Sequence, residues 1–378
     1  MAVYKIFPTQ DATMYSMFPQ MNTGIDEIIE ATTTTFGPFV PNPEVSRFLI
    51  QFDSNEMNDI ISTRIGARQW DAYLQCYAAV VTGLNEPTTI DIFPSSQSWN
   101  NGTGKYLDQP VTTDGVSWVW TNYSGSIQWT TASFNAGSTG SYSTTPGGGV
   151  WYSNISSSQL FQYSDNIDLN VSVKNIVSAW YTGSLTNIYN TSSSLPNKGF
   201  IVKQANQDEF IDNPNVQVEF KFFSIDTNTI YPPQLEFRWN DTSSYTGSTT
   251  VTTINTDQMT VVLGENPGTF YSGSINKFRV NCRPTYPPVV FQTASIYLQN
   301  YYLPTESYWS LKDLSTNEVI IDYSDPYTKL STDISGSFFT MYMNGLEPER
   351  NYQILIKTIF SGSILIFNDD YYFKVVNG

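Results

Sequence analysis

The stretch that decides the fold runs from Asp168 to Trp239. It opens Asp168-Leu-Asn-Val-Ser-Val-Lys-Asn-Ile-Val-Ser-Ala-Trp-Tyr-Thr-Gly183 and closes Phe222-Phe-Ser-Ile-Asp-Thr-Asn-Thr-Ile-Tyr-Pro-Pro-Gln-Leu-Glu-Phe-Arg-Trp239. Val173, Val177 and Trp180 fall at i, i+4 and i+7, with Ile176 beside them, so a short helix here carries one apolar stripe. Ser172 stands where an N-cap would accept from first-turn amides, and Gly183 where a left-handed residue would stop the helix. After a polar loop, Phe200 and Val202, then Val216, Val218, Phe220 and Phe222, alternate with polar residues. That is the period of half-buried strands. Leu235, Phe237 and Trp239 alternate again beyond the rigid Tyr231-Pro232-Pro233 turn. One helix in a run of strands predicts a helix plugging one end of a β-sandwich.

Working outward, the composition agrees. The chain has 378 residues, enough for two or three cores. Aromatic residues reach 15% and charged residues only 14%, which suits strands and disfavours long solvated helices. The net charge of −16 repels phosphate backbones and anionic lipid, so neither nucleic acid nor membrane is an expected partner. No apolar run has the length of a membrane-spanning helix. The first residues alternate like a strand and lack a signal-peptide core. Cys76 and Cys282 lie far apart in strand-like runs, where a buried free thiol is the expectation, in keeping with folding in a reducing cytoplasm. There is no histidine, which removes the usual general base and metal ligand.

Toward the N-terminus, Glu27 to Thr33, Arg47 to Asp53 and Ala72 to Val81 read as strands. Phe48, Ile50 and Phe52 share one face of the second. Residues 95–150 are turn-rich and hold Trp99, Trp118, Trp120 and Trp129, with Trp151 just beyond. Phe134 to Gly149, with Gly147-Gly148-Gly149, reads as a long surface loop or arm. The glycines are not a phosphate loop, because no Lys-Ser/Thr and no helix follow. Asn240 to Thr250 is polar and reads as a linker. Strand alternation then resumes over Thr260–Leu263, Lys277–Asn281, Ser295–Leu298, Tyr308–Leu311, Val319–Tyr323, Phe338–Met343, Tyr352–Thr358 and Tyr371–Val376, enough for a second sandwich.

Several motifs stand in an order that resembles the DNRLRE family of jelly-roll sandwiches, related to alginate-binding carbohydrate modules. They are Asp11-Ala12-Thr13, Asn22-Thr23-Gly24, the Arg47 to Asp53 strand, Ser98-Trp99-Asn100 with Val116-Ser117-Trp118, the Ser172 to Gly183 helix, Phe223-Ser224 and Pro233-Gln234-Leu235. This chain has Ser172 and Lys174 where the family tends to have Asp and Thr, and a long insert precedes Trp151. The resemblance spans about residues 1–240. Gly345-Leu346-Glu347-Pro348-Glu349-Arg350-Asn351-Tyr352 resembles the corner of fibronectin type III and immunoglobulin-like modules, which implies an inward leucine and a tyrosine that closes an interstrand corner. The expected class is all-β: a jelly-roll sandwich with one short helix over 1–240, a linker over 241–250, and an immunoglobulin-like sandwich over 251–378.

Candidate chemistry is sparse. Asp11, Asp165 and Asp168 could line a calcium site, or be solvated loop carboxylates, since no Asp-x-Asp-x-Asp spacing is present. Asp208-Glu209 with Asp212, or Asp369-Asp370, could pair as glycosidase acid and base, or be plain surface charge. Trp99, Trp118, Trp120 and Trp129 could form a sugar-stacking platform, or pack inside. Phe134, Tyr142, Trp151 and Tyr152 would anchor an inter-subunit arm at Phe134–Gly149. No cofactor, metal or catalytic residue is expected.

The reading these features favour is a non-enzymatic structural protein of a tailed-bacteriophage virion: decoration, neck, tail, baseplate or fibre. It looks like such proteins of large marine phages. It would assemble with other virion proteins as a homo-oligomer, after folding in the host cytoplasm. The alternative is a carbohydrate-binding or adhesion module for cell-surface polysaccharide. A polysaccharide-degrading enzyme comes third.

Overall fold

The computed structural model describes residues 2–35, 43–130, 147–163, 165–182, 195–209, 211, 213–247, 251–286, 301–369 and 371–378. The protein is all-β. In chain order the strands are β1 (Ala2–Ile6), β2 (Gln10–Tyr15), β3 (Ile28–Thr34), β4 (Glu44–Gln51), β5 (Trp70–Cys76), β6 (Ala78–Thr82), β7 (Thr88–Pro94), β8 (Trp120–Asn122), β9 (Ile127–Gln128), β10 (Ser157–Phe161), β11 (Leu169–Ser172), β12 (Phe200–Gln204), β13 (Glu219–Phe223) and β14 (Gln234–Trp239). They continue as β15 (Thr252–Thr253), β16 (Met259–Gly264), β17 (Thr269–Tyr271), β18 (Ile275–Pro284), β19 (Tyr301–Tyr302), β20 (Ser307–Asp313), β21 (Val319–Ile321), β22 (Ser331–Asp333), β23 (Gly336–Tyr342), β24 (Asn351–Phe360), β25 (Ser363–Phe367) and β26 (Tyr372–Val376). Among the described residues the α-helices are α1 (Ser54–Asp59), α2 (Lys174–Thr182) and α3 (Asn206–Glu209).

The chain divides into two compact units. The larger holds Ile6–Arg64 and Asp71–Glu236; the C-terminal unit holds Phe237–Gly378 with Met1–Lys5 and Ile65–Trp70. The larger unit is built on an eight-stranded sheet of order β10-β7-β12-β4-β3-β13-β6, with β2 also paired to β4. Its aromatic core follows from the alternation in the sequence: Phe161 meets Phe220 at 4.9 Å, and Phe48 meets Phe222 at 5.9 Å between ring centroids. Helix α2 closes this core as its stripe requires. Val173, Ile176, Val177 and Trp180 are all buried, and Trp180 lies 4.6 Å from the Phe200 ring of β12.

Several local expectations are corrected. Ser172 does not cap α2, because it is the last residue of β11, in register with Tyr73 of β5. The backbone of Val173 instead opens the helix, its N–H donating to Ala72 and its carbonyl accepting from Val177. Gly183 lies outside the described residues. The run from Ala72 to Val81 is two strands, not one. Around Tyr77 the chain leaves β5, which pairs with β11, and enters β6, which pairs with β13. Residues 54–65 form α1 and a π-helical turn, an element the strand period does not announce. The Asp53 side chain accepts from Asn55 N at 3.0 Å to cap it, and Met57, Ile60 and Ile61 are buried. The signal was present as an Asx cap before an apolar i, i+3, i+4 set.

The C-terminal unit is a sandwich of two six-stranded sheets. One has the order β15-β19-β18-β23-β22 with β16 on β18; the other has β17-β26-β24-β20-β21 with β25 on β24. Trp309 of the second sheet stacks on Phe339 of the first at 4.9 Å, and Phe278, Phe270 and Phe373 continue the aromatic core. Residues of the polar stretch 241–250 run beside β22, where Ser243 N meets Ser331 Oγ and Tyr245 N meets Thr332 Oγ1. The Ser295–Leu298 strand call lies outside the described residues. Cys76 and Cys282 are buried free thiols, one in each unit.

The corner before β24 is made as the Gly-Leu-x-Pro-x-x-x-Tyr pattern implies. Leu346 is buried, and Tyr352, itself buried, donates its hydroxyl to the Glu347 carbonyl at 3.1 Å. Removing that hydroxyl deletes one intramolecular hydrogen bond and changes little else. Tyr352→Phe should therefore cost about 0.5–1.5 kcal/mol in chemical denaturation of the C-terminal unit. No change in its midpoint would show that water replaces the bond fully.

Candidate functional site

The tryptophan loops of the larger unit surround a buried charge cluster. Arg47, the fourth residue of β4, is fully buried. Its Nε and Nη2 donate to Glu209 at 2.6 and 3.0 Å, and Nη1 donates to the Gly148 carbonyl at 2.7 Å. Lys203 of β12 donates to Glu209 Oε2 at 3.0 Å, to the Gln204 carbonyl at 2.5 Å and to Asn206 Oδ1 at 3.0 Å. Trp118 and Trp151 lie over the guanidinium at 5.0 and 5.3 Å. Burial alone would raise the Glu209 carboxyl; the two cations outweigh it and hold it below the ordinary range. Burial also lowers the Lys203 ammonium, against the pull of Glu209. Charges taken out of water need such saturated partners, so the cluster is a structural clamp in its chemistry.

Gly147, Gly148 and Gly149 are what allow this clamp. All three have positive φ, at 143°, 79° and 90°. A Cβ on Gly147 would stand 1.9 Å from the Trp118 carbonyl oxygen, and one on Gly148 would stand 2.7 Å from Arg47 Nη1. The end of the presumed surface loop is therefore core, because the backbone must approach an indole and a guanidinium that no side chain leaves room for. Phe134, Tyr142 and the rest of 131–146 lie outside the described residues.

The other predicted site residues fall as follows. Trp99, Trp118, Trp129 and Trp151 are buried in one cluster with Met14, Leu49, Val116 and Ile201. Trp99 Nε1 donates to Lys198 O at 2.9 Å, and Trp129 Nε1 to Ser117 O at 3.0 Å. These four rings are core walls and present no stacking face to a sugar. Trp120 and Tyr152 are half-buried, and Trp120 meets Tyr123 edge-on at 5.1 Å. The carboxylates do not gather. Asp11 is buried in β2, Asp165 is exposed, and Asp168 accepts from Ala78 N at 2.8 Å. Among the described residues no three His, Cys, Asp or Glu side chains are grouped to hold a metal. Asp208 accepts from Thr89 N while Glu209 lies in the clamp, so the two adjacent acids have separate structural tasks. Asp212 and Asp370 lie outside the described residues, and Asp369 is exposed.

The polar residues of the N-terminal motifs prove to be loop ties. Asn22 donates to the carbonyls of Asn101 and Val116 at 2.6 and 2.8 Å and accepts from Gly24 N and Gly104 N, which saturates its amide. Asp11 accepts from Ile225 N at 2.8 Å, just after the Phe223-Ser224 strand end. Burial pushes the Asp11 carboxyl up to about 7, helped by Asp226 and Asp26 and opposed by that bond. A carboxyl whose folded pKa lies above its unfolded value of about 3.9 costs nothing below that value. The cost grows as pH rises and is complete above about 7. Asp11→Asn keeps an acceptor for Ile225 N without the charge. It should raise the melting temperature at pH 8 and leave it near wild type at pH 4. A thermal shift equal at both pH values would contradict this.

A surface cleft of about 130 Å3 opens on the same unit. Glu30, Thr32 and Thr34 alternate along β3, and Glu219 and Lys221 along β13. The register Glu219↔Thr32 and Lys221↔Glu30 sets them side by side on one face. Lys221 Nζ stands 3.5 Å from Glu30 and 3.6 Å from Glu219. Glu44 accepts from Ser16 Oγ at 2.5 Å. The far wall is aromatic: Tyr15 and Tyr106 rings lie 5.0 Å apart, and Phe18 meets Tyr106 edge-on at 6.1 Å. Sequence reasoning missed this cleft. Its residues come from four strands and two loops, and no one of them breaks a local pattern. A second cleft of about 240 Å3, in the C-terminal unit, is lined by hydroxyl side chains and Lys329 and has no carboxylate.

No family model matches the chain, and no curated protein matches it. Two solved structures show weak similarity. One is a β-glucuronidase of Bacteroides uniformis, with 6% identity and a TM-score of 0.17, covering 87% of this chain and 27% of that one. The other is a DUF4785 family protein of Legionella pneumophila, with 9% identity and a TM-score of 0.18, covering 98% of this chain and 66% of that one. The chain thus spans about a quarter of the first and just under two thirds of the second. Superposition at this level carries no argument about activity. Among the described residues no helix is long and apolar enough to cross a membrane.

Proposed function

We propose that this chain is a non-enzymatic structural component of a tailed-phage virion, a decoration, neck, tail or fibre protein, that works by protein–protein assembly. The observation that carries the assembly part is the β24–β25 hairpin. Among the described residues strand β25 is a sheet edge paired only to β24, and its Ile364 and Ile366 are 64% and 55% exposed. The turn at Ser361-Gly362, both with positive φ, makes a tight two-residue connection. Strand β25 itself carries no charge; the one charge in the paired hairpin is Lys357 of β24, opposite Ile366. Free edges are normally blunted by lysine, proline or bulges, because unpaired N–H and C=O groups recruit further strands. An unguarded, β-branched edge suits addition of a strand from a neighbour. The virion assignment rests on the sequence texture: two sandwiches, no histidine, and an aromatic, Ser/Thr/Asn-rich chain.

Mass spectrometry of purified virions tests this reading. The protein should appear at a fixed copy number, and a variant with Ile364→Lys and Ile366→Lys should fold but be depleted from particles. Absence of the wild-type protein from particles, together with binding on a glycan array, would replace this reading with the adhesion one.

A further inference from the structure

We infer that the cleft formed by β2, β3, β4 and β13 receives the side chain of an arginine or lysine from a neighbouring protein. The inference deepens the assembly reading by naming the partner's chemistry. Three features of the cleft define what fits.

The first is charge. Glu30, Glu44 and Glu219 line the cleft with one ammonium, that of Lys221, which pairs with Glu30 and Glu219, so the cleft carries an excess of two negative charges when all are ionised. Burial already raises the Glu30 carboxyl, with Lys221 only partly opposing it. A second cation would complete the neutralisation. An anion is repelled, and an apolar group would bury these carboxylates without partners.

The second is an unsatisfied acceptor in the cleft wall. Tyr15 is nearly fully buried, lines the cleft, and its hydroxyl oxygen has no hydrogen-bond partner. The Thr13 hydroxyl is near enough to act weakly on the phenol, yet it does not reach Oη in bonding geometry. Burial, with Glu30 and Asp26 close by, holds the Tyr15 phenol neutral, well above its ordinary range, and its oxygen is enclosed in the wall of the cleft, so it accepts only from a donor that inserts beside it. The ligand should therefore bring N–H donors.

The third is the aromatic wall of Tyr15, Tyr106 and Phe18, with Tyr106 at the rim and 43% exposed. Such a wall favours an aliphatic stem ending in a cation. A guanidinium or ammonium on a methylene chain meets all three demands: charge, donors and stem. A neutral sugar meets only the donor requirement. The described residues supply no group of three metal-ligating side chains here, so a bare metal ion lacks a coordination set.

The test uses the full chain with 13C-labelled tyrosine and three soluble probes: N-acetyl-arginine methylamide, its neutral isostere N-acetyl-citrulline methylamide, and the neutral sugar N-acetylglucosamine. The arginine probe should shift the Tyr15 and Tyr106 resonances saturably, with an affinity on the order of millimolar for so small a ligand. The citrulline probe should bind at least about tenfold more weakly. Glu30→Gln with Glu219→Gln should abolish the preference for the charged probe. Tyr106→Ala, at the exposed rim where folding is not at stake, should weaken the arginine probe on the wild-type carboxylates. Equal binding of arginine and citrulline probes, no shift with either, or a shift with N-acetylglucosamine alone would overturn the inference. Absence of the protein from virions would sink the assembly reading and leave these probe results standing.

Discussion

Glu209→Gln lowers the melting temperature of the larger unit by on the order of 10 °C or more. The substitution keeps the shape of the side chain and removes its charge. Arg47 and Lys203 are then left buried with no anion between them. Breaking one partner out of a buried ion cluster costs about 3–5 kcal/mol, because the stranded charge cannot return to water. For a unit of this size each kcal/mol moves the midpoint by about 2–4 °C. The pH dependence carries the same signature. The folded Glu209 carboxyl is held below its ordinary range, so its contribution is fully present above the unfolded value of about 4.3 and is lost as pH falls through the folded value. The acid limb of wild-type stability should flatten in the variant. Thermal scans of both proteins from pH 3 to pH 8 measure it. A variant within 2–3 °C of wild type at pH 7 would mean that water reaches the two cations; that threshold is about 1 kcal/mol.

Trp180→Ala should destabilise the same unit by about 3–5 kcal/mol, the usual cost of truncating a buried aromatic. Trp180 is 7% exposed and packs, tilted by 51°, against Phe200, which lies in the central region of the eight-stranded sheet. Its loss opens a cavity under α2, whose remaining stripe of Val173, Ile176 and Val177 is short. Tyr181→Ala is the control, because that ring is on the same helix but 37% exposed. Urea unfolding followed by far-UV circular dichroism should separate the two by a clear shift in midpoint. Equal midpoints would show that the helix does not dock through Trp180.

The predictions read straight from local pattern held where one physical period ruled. Phe220 and Phe222 alternate with Glu219 and Lys221, and the sheet buries the first pair and leaves the second toward the surface. Val173, Ile176, Val177 and Trp180 repeat at helical spacing, and the helix buries them. The Leu346 and Tyr352 corner was legible because its bond closes within a few residues. Local pattern failed where two signals competed. At Ser172, strand pairing with β5 took the residue that capping would have used. At Tyr77 the apolar run Tyr77 to Val81 concealed a change of sheet: β5 buries alternate residues, whereas β6 buries none fully and leaves Val80 exposed, so apolar character there did not report burial.

What the sequence by itself determined was the class of fold and the faces of its strands: an aromatic, charge-poor chain with period-two alternation can bury its surface only as stacked sheets. It also determined that no histidine chemistry is available. Only the tertiary structure decided the fate of the polar residues. Glu209, Arg47 and Lys203 are separated by up to 162 positions, yet form one desolvated cluster. Trp118 and Trp151 became its walls rather than a surface platform. Glu30, Glu219, Tyr15 and Tyr106 became a cleft. A charge reports nothing about its own burial from its neighbours in sequence. Its solvation depends on which distant strands the register brings beside it, and that register is a property of the whole sheet.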